Sequence, residues 1–200
     1  MSIIEAINEV CDVVSLDRFD TLVGNSNPNA QTMIEFAQQA GEEISRRGDW
    51  NRTLKSASVD ASPFPLPENF QRLIAGGGIQ FGDGRFARLV LNSGEWAIIK
   101  TVSSTQPFAF IQAGKVEFTS TAASTGATIN YVSRNWLVDG SDERDKITSD
   151  DNDLLFPDRL LTKGVIWRWR RQKGMTFDDQ VAEFEADLAI ELSADRGASQ

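Results

Sequence analysis

The stretch KGVIWRWRRQKGMTFDDQVAEFEADL, Lys163–Leu188, decides how the rest of the chain is read. Its first eleven residues hold Trp167, Trp169 and five Lys/Arg with no acid, inside a chain of net charge −9. A nucleic-acid grip, a membrane-seeking patch and half of a helical hairpin facing an acidic partner all fit that composition. Spacing favours the hairpin. Leu161, Val165 and Trp169 share one helical face, and Leu160, Gly164 and Trp167 share the neighbouring one. Gly164 costs about 1 kcal/mol inside a helix, which points to close approach of another backbone. Gly174 supplies a stop. Thr176 and Asp179 then form an [ST]-x-x-[DE] capping box opening a last helix, where Phe177, Val181, Phe184, Leu188 and Leu192 make an apolar stripe.

Upstream, the N-terminal region reads the same way. Ile3, Ile7, Val10 and Val14 fall at i, i+4, i+7 and i+11. The polar break GNSNPNA offers Asn27 as a cap and Pro28 at a first helical position. Met33, Ala37, Ala40 and Ile44 follow on one face, and the helix is expected to end at Arg46, Arg47 and a left-handed Gly48. Neither helical pair buries its stripe alone, so the two ends of the chain are expected to pack together.

Between them the texture changes to Ser, Thr, Gly and Phe in short alternating runs, which argues antiparallel β. Expected strands are Arg52–Val59, Gly78–Phe81, Arg85–Leu91, Glu95–Thr101, Phe108–Gln112, Val116–Thr119 and Thr128–Ser133, with turns at Asp83-Gly84 and Ala113-Gly114. PFPLPENF reads as an extended connector and DGSDERDKITSDDND as a solvated acidic loop. The fold expected is α+β. Residues 1–51 and 139–200 form a helical bundle, two helices from each end, with a C-terminal tail extending outward; residues 52–138 form an inserted antiparallel β module.

Composition removes many chemistries. There is no histidine and one cysteine, Cys11, which excludes His-based triads, His-ligated zinc and an internal disulfide. No run reaches the ~18 apolar residues of a membrane span, and the N-terminus lacks the basic region of a signal peptide. SDDND fails the EF-hand spacing, and GGGIQFGDG lacks the phosphate-loop pattern and reads as turns. Asp17, Asp20, Glu68 and Asp83 are free to act as carboxylate pairs only if the fold brings them together. No cofactor or metal is expected, and no catalytic residue.

Charge is segregated along the chain. Residues 163–173 carry +5, residues 176–200 carry −6 from seven acids and Arg196, and residues 139–153 carry −5 from seven acids and two bases. Such polarity suits identical subunits meeting head to tail in a ring. The candidate interface between subunits, or with another partner, therefore comprises Trp167, Arg168, Trp169, Arg170, Arg171 and Lys173 on the basic side, with Asp187, Glu191 and Asp195 on the acidic side. The tryptophans are expected to pack inward and the arginines to face a neighbour's acids.

Three stretches carry a resemblance. LPENFQRL (Leu66–Leu73), AFIQAGKVEFTSTAASTGATINYVSRNW (Ala109–Trp136) and DNDLLFPDRLLTKGVIWRWRRQKGMTFDDQVAEFEADL (Asp151–Leu188) resemble the link, the hairpin and the FP-x-x-LL-x-x-G-x-x-W-R-W helix of the head-to-tail connector (adaptor) proteins of tailed double-stranded DNA phages, the tail tubular protein A type included. The resemblance implies a non-enzymatic virion protein, assembled in the host cytoplasm. It implies a homo-oligomeric ring, commonly dodecameric, below the portal protein, which extends the DNA channel and carries tail or nozzle proteins. It also implies a C-terminal segment, ELSADRGASQ, that reaches the portal, and passage of double-stranded DNA without sequence-specific binding or membrane contact. The alternative from the residues is a carbohydrate- or protein-binding β-sandwich or barrel on a helical stalk, supported if Trp96 or Trp136 is exposed.

Overall fold

The computed structural model describes residues 1–119 and 126–197. The loop expected after the Ala109–Phe118 hairpin falls largely at 120–125, and the end of the C-terminal tail at 198–200; both lie outside the described residues. In chain order come α1 (Ile3–Val14), α2 (Pro28–Arg47), β1 (Leu54–Val59), β2 (Phe64–Pro65), β3 (Phe70–Leu73), β4 (Ile79–Phe81) and β5 (Arg88–Val90). Then follow α3 (Ser93–Ile99), β6 (Phe108–Gln112), β7 (Lys115–Phe118), β8 (Ala127–Ser133), β9 (Leu137–Asp139), β10 (Asp142–Arg144), β11 (Asp153–Leu154), α4 (Asp158–Gln172) and α5 (Asp178–Gly197). The class is α+β. Two compact units divide the chain: residues 1–53 with 134–200, and residues 54–133.

In the first unit α4 is the central helix, packed against α1, α2 and α5. The expected stripes supply the core: Ile3, Ile7 and Val10 from α1, Met33, Ala37, Ala40 and Ile44 from α2, and Phe184 and Leu188 from α5. Each large apolar side chain so buried contributes about 1.5–3 kcal/mol. The helix starts are set locally. Ser2 and Glu5 form a capping box on α1, with the Ser2 N–H donating to Glu5 Oε2 at 2.9 Å. Asn27 caps α2, its side chain accepting from the Asn29 N–H at 2.9 Å, with Pro28 at the first helical position.

Gly48 corrects one expectation. It follows α2 with φ −133°, not in the left-handed region. A Cβ here would lie 2.1 Å from Leu192 Cδ2 and 3.0 Å from the Trp50 ring, so a side chain at this position would have to displace the end of Leu192. Gly41 is constrained likewise: its Cβ would sit within 2.5 Å of the Trp136 ring. That ring is fully buried, stacks on Phe156 at 5.8 Å and donates its indole N–H to the Asp145 carbonyl at 3.0 Å.

The segment expected as a solvated acidic loop is knitted in. β9, β10 and β11 form a small antiparallel sheet in the order β10-β9-β11. Asp150 accepts from the backbone N–H of Leu22 (3.0 Å) and Val23 (2.8 Å), and the buried Asn152 Oδ1 accepts from those of Thr148 and Ser149 at 2.9 and 3.0 Å. The Asp150 carboxylate and the Asn152 amide thus organise backbone.

In the second unit β8 is the spine. β1 pairs along its whole length, while β3 and β4 share its other edge. A second sheet runs β2-β7-β6-β5. The connector PFPLPENF therefore contributes β2, a two-residue edge strand where proline is tolerated. β6 and β7 join through Ala113-Gly114, both at positive φ (51° and 71°), the geometry a two-residue hairpin demands. β5 pairs with β6 in parallel, against the all-antiparallel expectation.

The expected strand Glu95–Thr101 is instead covered by α3 and the turn after it. Asn92 accepts from the Glu95 N–H at 2.7 Å, a cap that starts a helix, and Trp96 turns inward while Ile98 points out. In a strand both would share one face.

Candidate assembly interface

Two rows of side chains define α4. Leu161, Val165 and Trp169 enter the core, as their spacing requires. The neighbouring row, four residues apart, is Leu160, Gly164 and Arg168. All three are buried. A Cβ on Gly164 would come 3.0 Å from the Ala40 methyl on α2, so the close approach is to a side chain rather than to a backbone.

Arg168 fills the space that Gly164 leaves. One guanidinium nitrogen, Nη1, donates to the Gly164 carbonyl at 2.7 Å, and Nη2 binds the Glu43 carboxylate. The guanidinium carbon lies 4.2 Å from the Trp167 ring centre. Burial lowers the Arg168 pKa from its ordinary value, and the bond to Glu43 opposes that shift. Arg168 therefore does not face outward: it is a core cation with a partner from α2. The signal was in the sequence, since position 168 lies four residues beyond Gly164.

The end of α4 is a Schellman motif. The Gly174 N–H donates to the Arg171 carbonyl (3.1 Å) and the Met175 N–H to that of Arg170 (2.9 Å), with Gly174 at φ +69°. Arg170 Nε then donates to the Thr176 carbonyl at 2.8 Å, tying the turn to the start of α5. α5 begins at Asp178, so Thr176 precedes the position that a capping residue would hold, and the expected capping box is out of register.

Three cations project from this end. Arg171 lies over the half-buried Trp167 at 5.0 Å and Lys173 over Trp169 at 4.3 Å. Among the described residues neither has a carboxylate within ion-pair distance, and Arg170 has none either.

The acidic side is arranged differently. Arg47 grips Glu185 through two bonds of 2.6 and 2.5 Å, Lys163 meets Asp187 at 2.7 Å and Glu183 at 3.6 Å, and Arg159 meets Glu191 at 2.5 Å. Asp195 accepts from the Asn51 N–H at 2.7 Å. The ion pairs lower the Glu185 and Asp187 pKa values, chiefly through the bonds from Arg47 and Lys163, and raise that of Arg47. Asp187, Glu191 and Asp195 thus hold their own chain's α5 in place.

Among the described residues no cluster of His, Cys, Asp or Glu is placed to hold a metal ion. Asp83 is engaged by Arg85 at 2.6 Å. No described helix is long and apolar enough to cross a membrane. Trp96 and Trp136 are both buried, so neither offers a ring to a sugar.

The sequence model of the SU10 adaptor protein family matches residues 1–199. No curated protein matches the chain.

Proposed function

The chain belongs to the SU10 adaptor protein family, and from that membership we propose that it is a head-to-tail adaptor of a tailed phage virion. It forms a ring below the portal protein, extends the DNA channel and carries tail components. The observation that carries this reading is a family match over residues 1–199, which spans both units.

The free cations at the end of α4 suit the role. Arg170, Arg171 and Lys173 form a compact basic surface on a rigid, core-anchored helix, in a chain of net charge −9. They are the proposed contact with an acidic surface of the portal or of a neighbouring subunit. Arg168, buried against Glu43, is left out of this proposed contact. An acidic subunit also suits a channel through which DNA slides, since phosphate-binding cations would retard it.

The test is quantitative mass spectrometry of purified phage particles, normalised to the portal protein. A ratio near one copy per portal subunit is the expected outcome. Absence of the chain from the particle would overturn the reading.

A further inference from the structure

The exposed apolar residues are not scattered. Of the ten large ones among the described residues, five lie between Phe86 and Val102 in the second unit. Phe86 and Leu89 line an apolar groove of about 360 Å³ together with Leu73, Ile74 and Ile79. Leu91 is 83% exposed, Ile98 66% and Val102 59%. The segment is anchored from behind: α3 packs on β5 and sends Trp96 inward to stack on Phe110 at 5.6 Å. β5 is the outermost strand of its sheet. Of the three bases in residues 85–102, Arg85 is paired with Asp83 and Lys100 with Glu117, which leaves Arg88 exposed with no carboxylate partner among the described residues.

A second uncovered face lies on α5. Phe184 and Leu188 face the core, while Ala182, Ala186, Ala189 and Ile190 fall on the opposite side at 3.6-residue spacing and are exposed. Ile190 is 59% exposed. Of the acids of α5, Glu183, Glu185, Asp187 and Glu191 are paired within the chain, while Asp178 and Asp179, at its start, have no cation within ion-pair distance among the described residues. The small alanines let another surface approach closely. One chain thus presents two uncovered apolar faces, one beside an unpaired cation and the other beside unpaired acids.

We propose that the β5–α3 face of one copy receives the outward face of α5 from a second copy. The surfaces differ, so the contact is heterologous: each copy gives one face and receives on the other, and copies add head to tail. The proposal deepens the adaptor role by naming a contact between copies in the ring, and it rests on that reading. It adds an apolar contact to the one proposed for the basic end of α4.

The test uses the full-length chain with a photoreactive benzoyl-phenylalanine incorporated at position 98. Irradiation is expected to give a covalent product of twice 22.1 kDa, with the joined peptide inside residues 178–197. Ile190→Asp, or Ala186→Arg as a second exposed-face variant, is expected to lower its yield about tenfold, the effect of losing one well-packed apolar contact. Circular dichroism checks that each variant keeps its helix content. No product of that mass, a joint outside residues 178–197, or a yield indifferent to both variants would overturn the proposal. Particle composition tests the adaptor reading separately.

Discussion

Gly41 and Arg168 show how single positions set the packing of the first unit. Gly41→Ala raises helix propensity by about 1 kcal/mol. Yet the new methyl meets a Trp136 ring that Phe156 and the Asp145 carbonyl hold in place. The clash wins: the variant is expected to lose about 1–3 kcal/mol, read as a lower urea midpoint with unchanged slope. A midpoint at or above the parent's would mean the ring moves freely. Arg168 and Glu43 are unequal partners. Glu43→Ala strands a buried guanidinium, whereas Arg168→Met replaces it with an apolar chain of similar length and leaves a carboxylate that Arg47 still reaches at 3.3 Å. Glu43→Ala is therefore expected to cost more, about 3 kcal/mol, than Arg168→Met. Equal urea midpoints for the two variants would show that the pair is not the anchor described here.

At the scale of elements, α5 is held by two buried apolar residues and a row of ion pairs. Glu185 and Asp187 have pKa values below their ordinary ones, so their contribution is present above the ordinary carboxylate range and is lost as pH falls through the lowered values. Hydrogen-exchange protection of α5 is expected to hold steady from about pH 8 to 5 and to drop below about pH 4, ahead of α1 and α2. It is also expected to fall with added salt, because half-exposed pairs are screened; protection unchanged in ~1 M salt would assign the docking to Phe184 and Leu188 alone. Legibility in the sequence followed the same division. The four long helices declared themselves because each carries a stripe long enough to repeat. α3 did not, because Trp96, Ile98 and Ile99 are strand-favouring types, and only the Asn92–Glu95 cap spoke for a helix. β9 pairs with β11 fourteen or more positions away, a partnership no local pattern reveals. The candidate interface was half legible. Periodicity located the helix end, but net charge per segment said nothing about whether an acid's partner stood in the same chain.

For the molecule as a whole, free charge is expected to matter for assembly and little for folding. Arg171→Glu with Lys173→Glu alters two exposed side chains at a helix end, and its unfolding free energy is expected to stay within about 1 kcal/mol of the parent's, the lost dipole interaction included. Under the proposed function, its incorporation into particles falls sharply. Normal incorporation would remove the end of α4 from the portal or subunit contact. The division of the chain has a further consequence, in the order of synthesis. The second unit is one continuous segment, residues 54–133, whereas the first is closed by α4, which begins about a hundred residues after α2 ends. At ~5–20 residues per second the ribosome takes roughly 5–20 s to cross that interval. During it α1 and α2 wait with their apolar faces uncovered, while the inserted unit is free to fold, so a segment made after the inserted unit completes the unit begun before it.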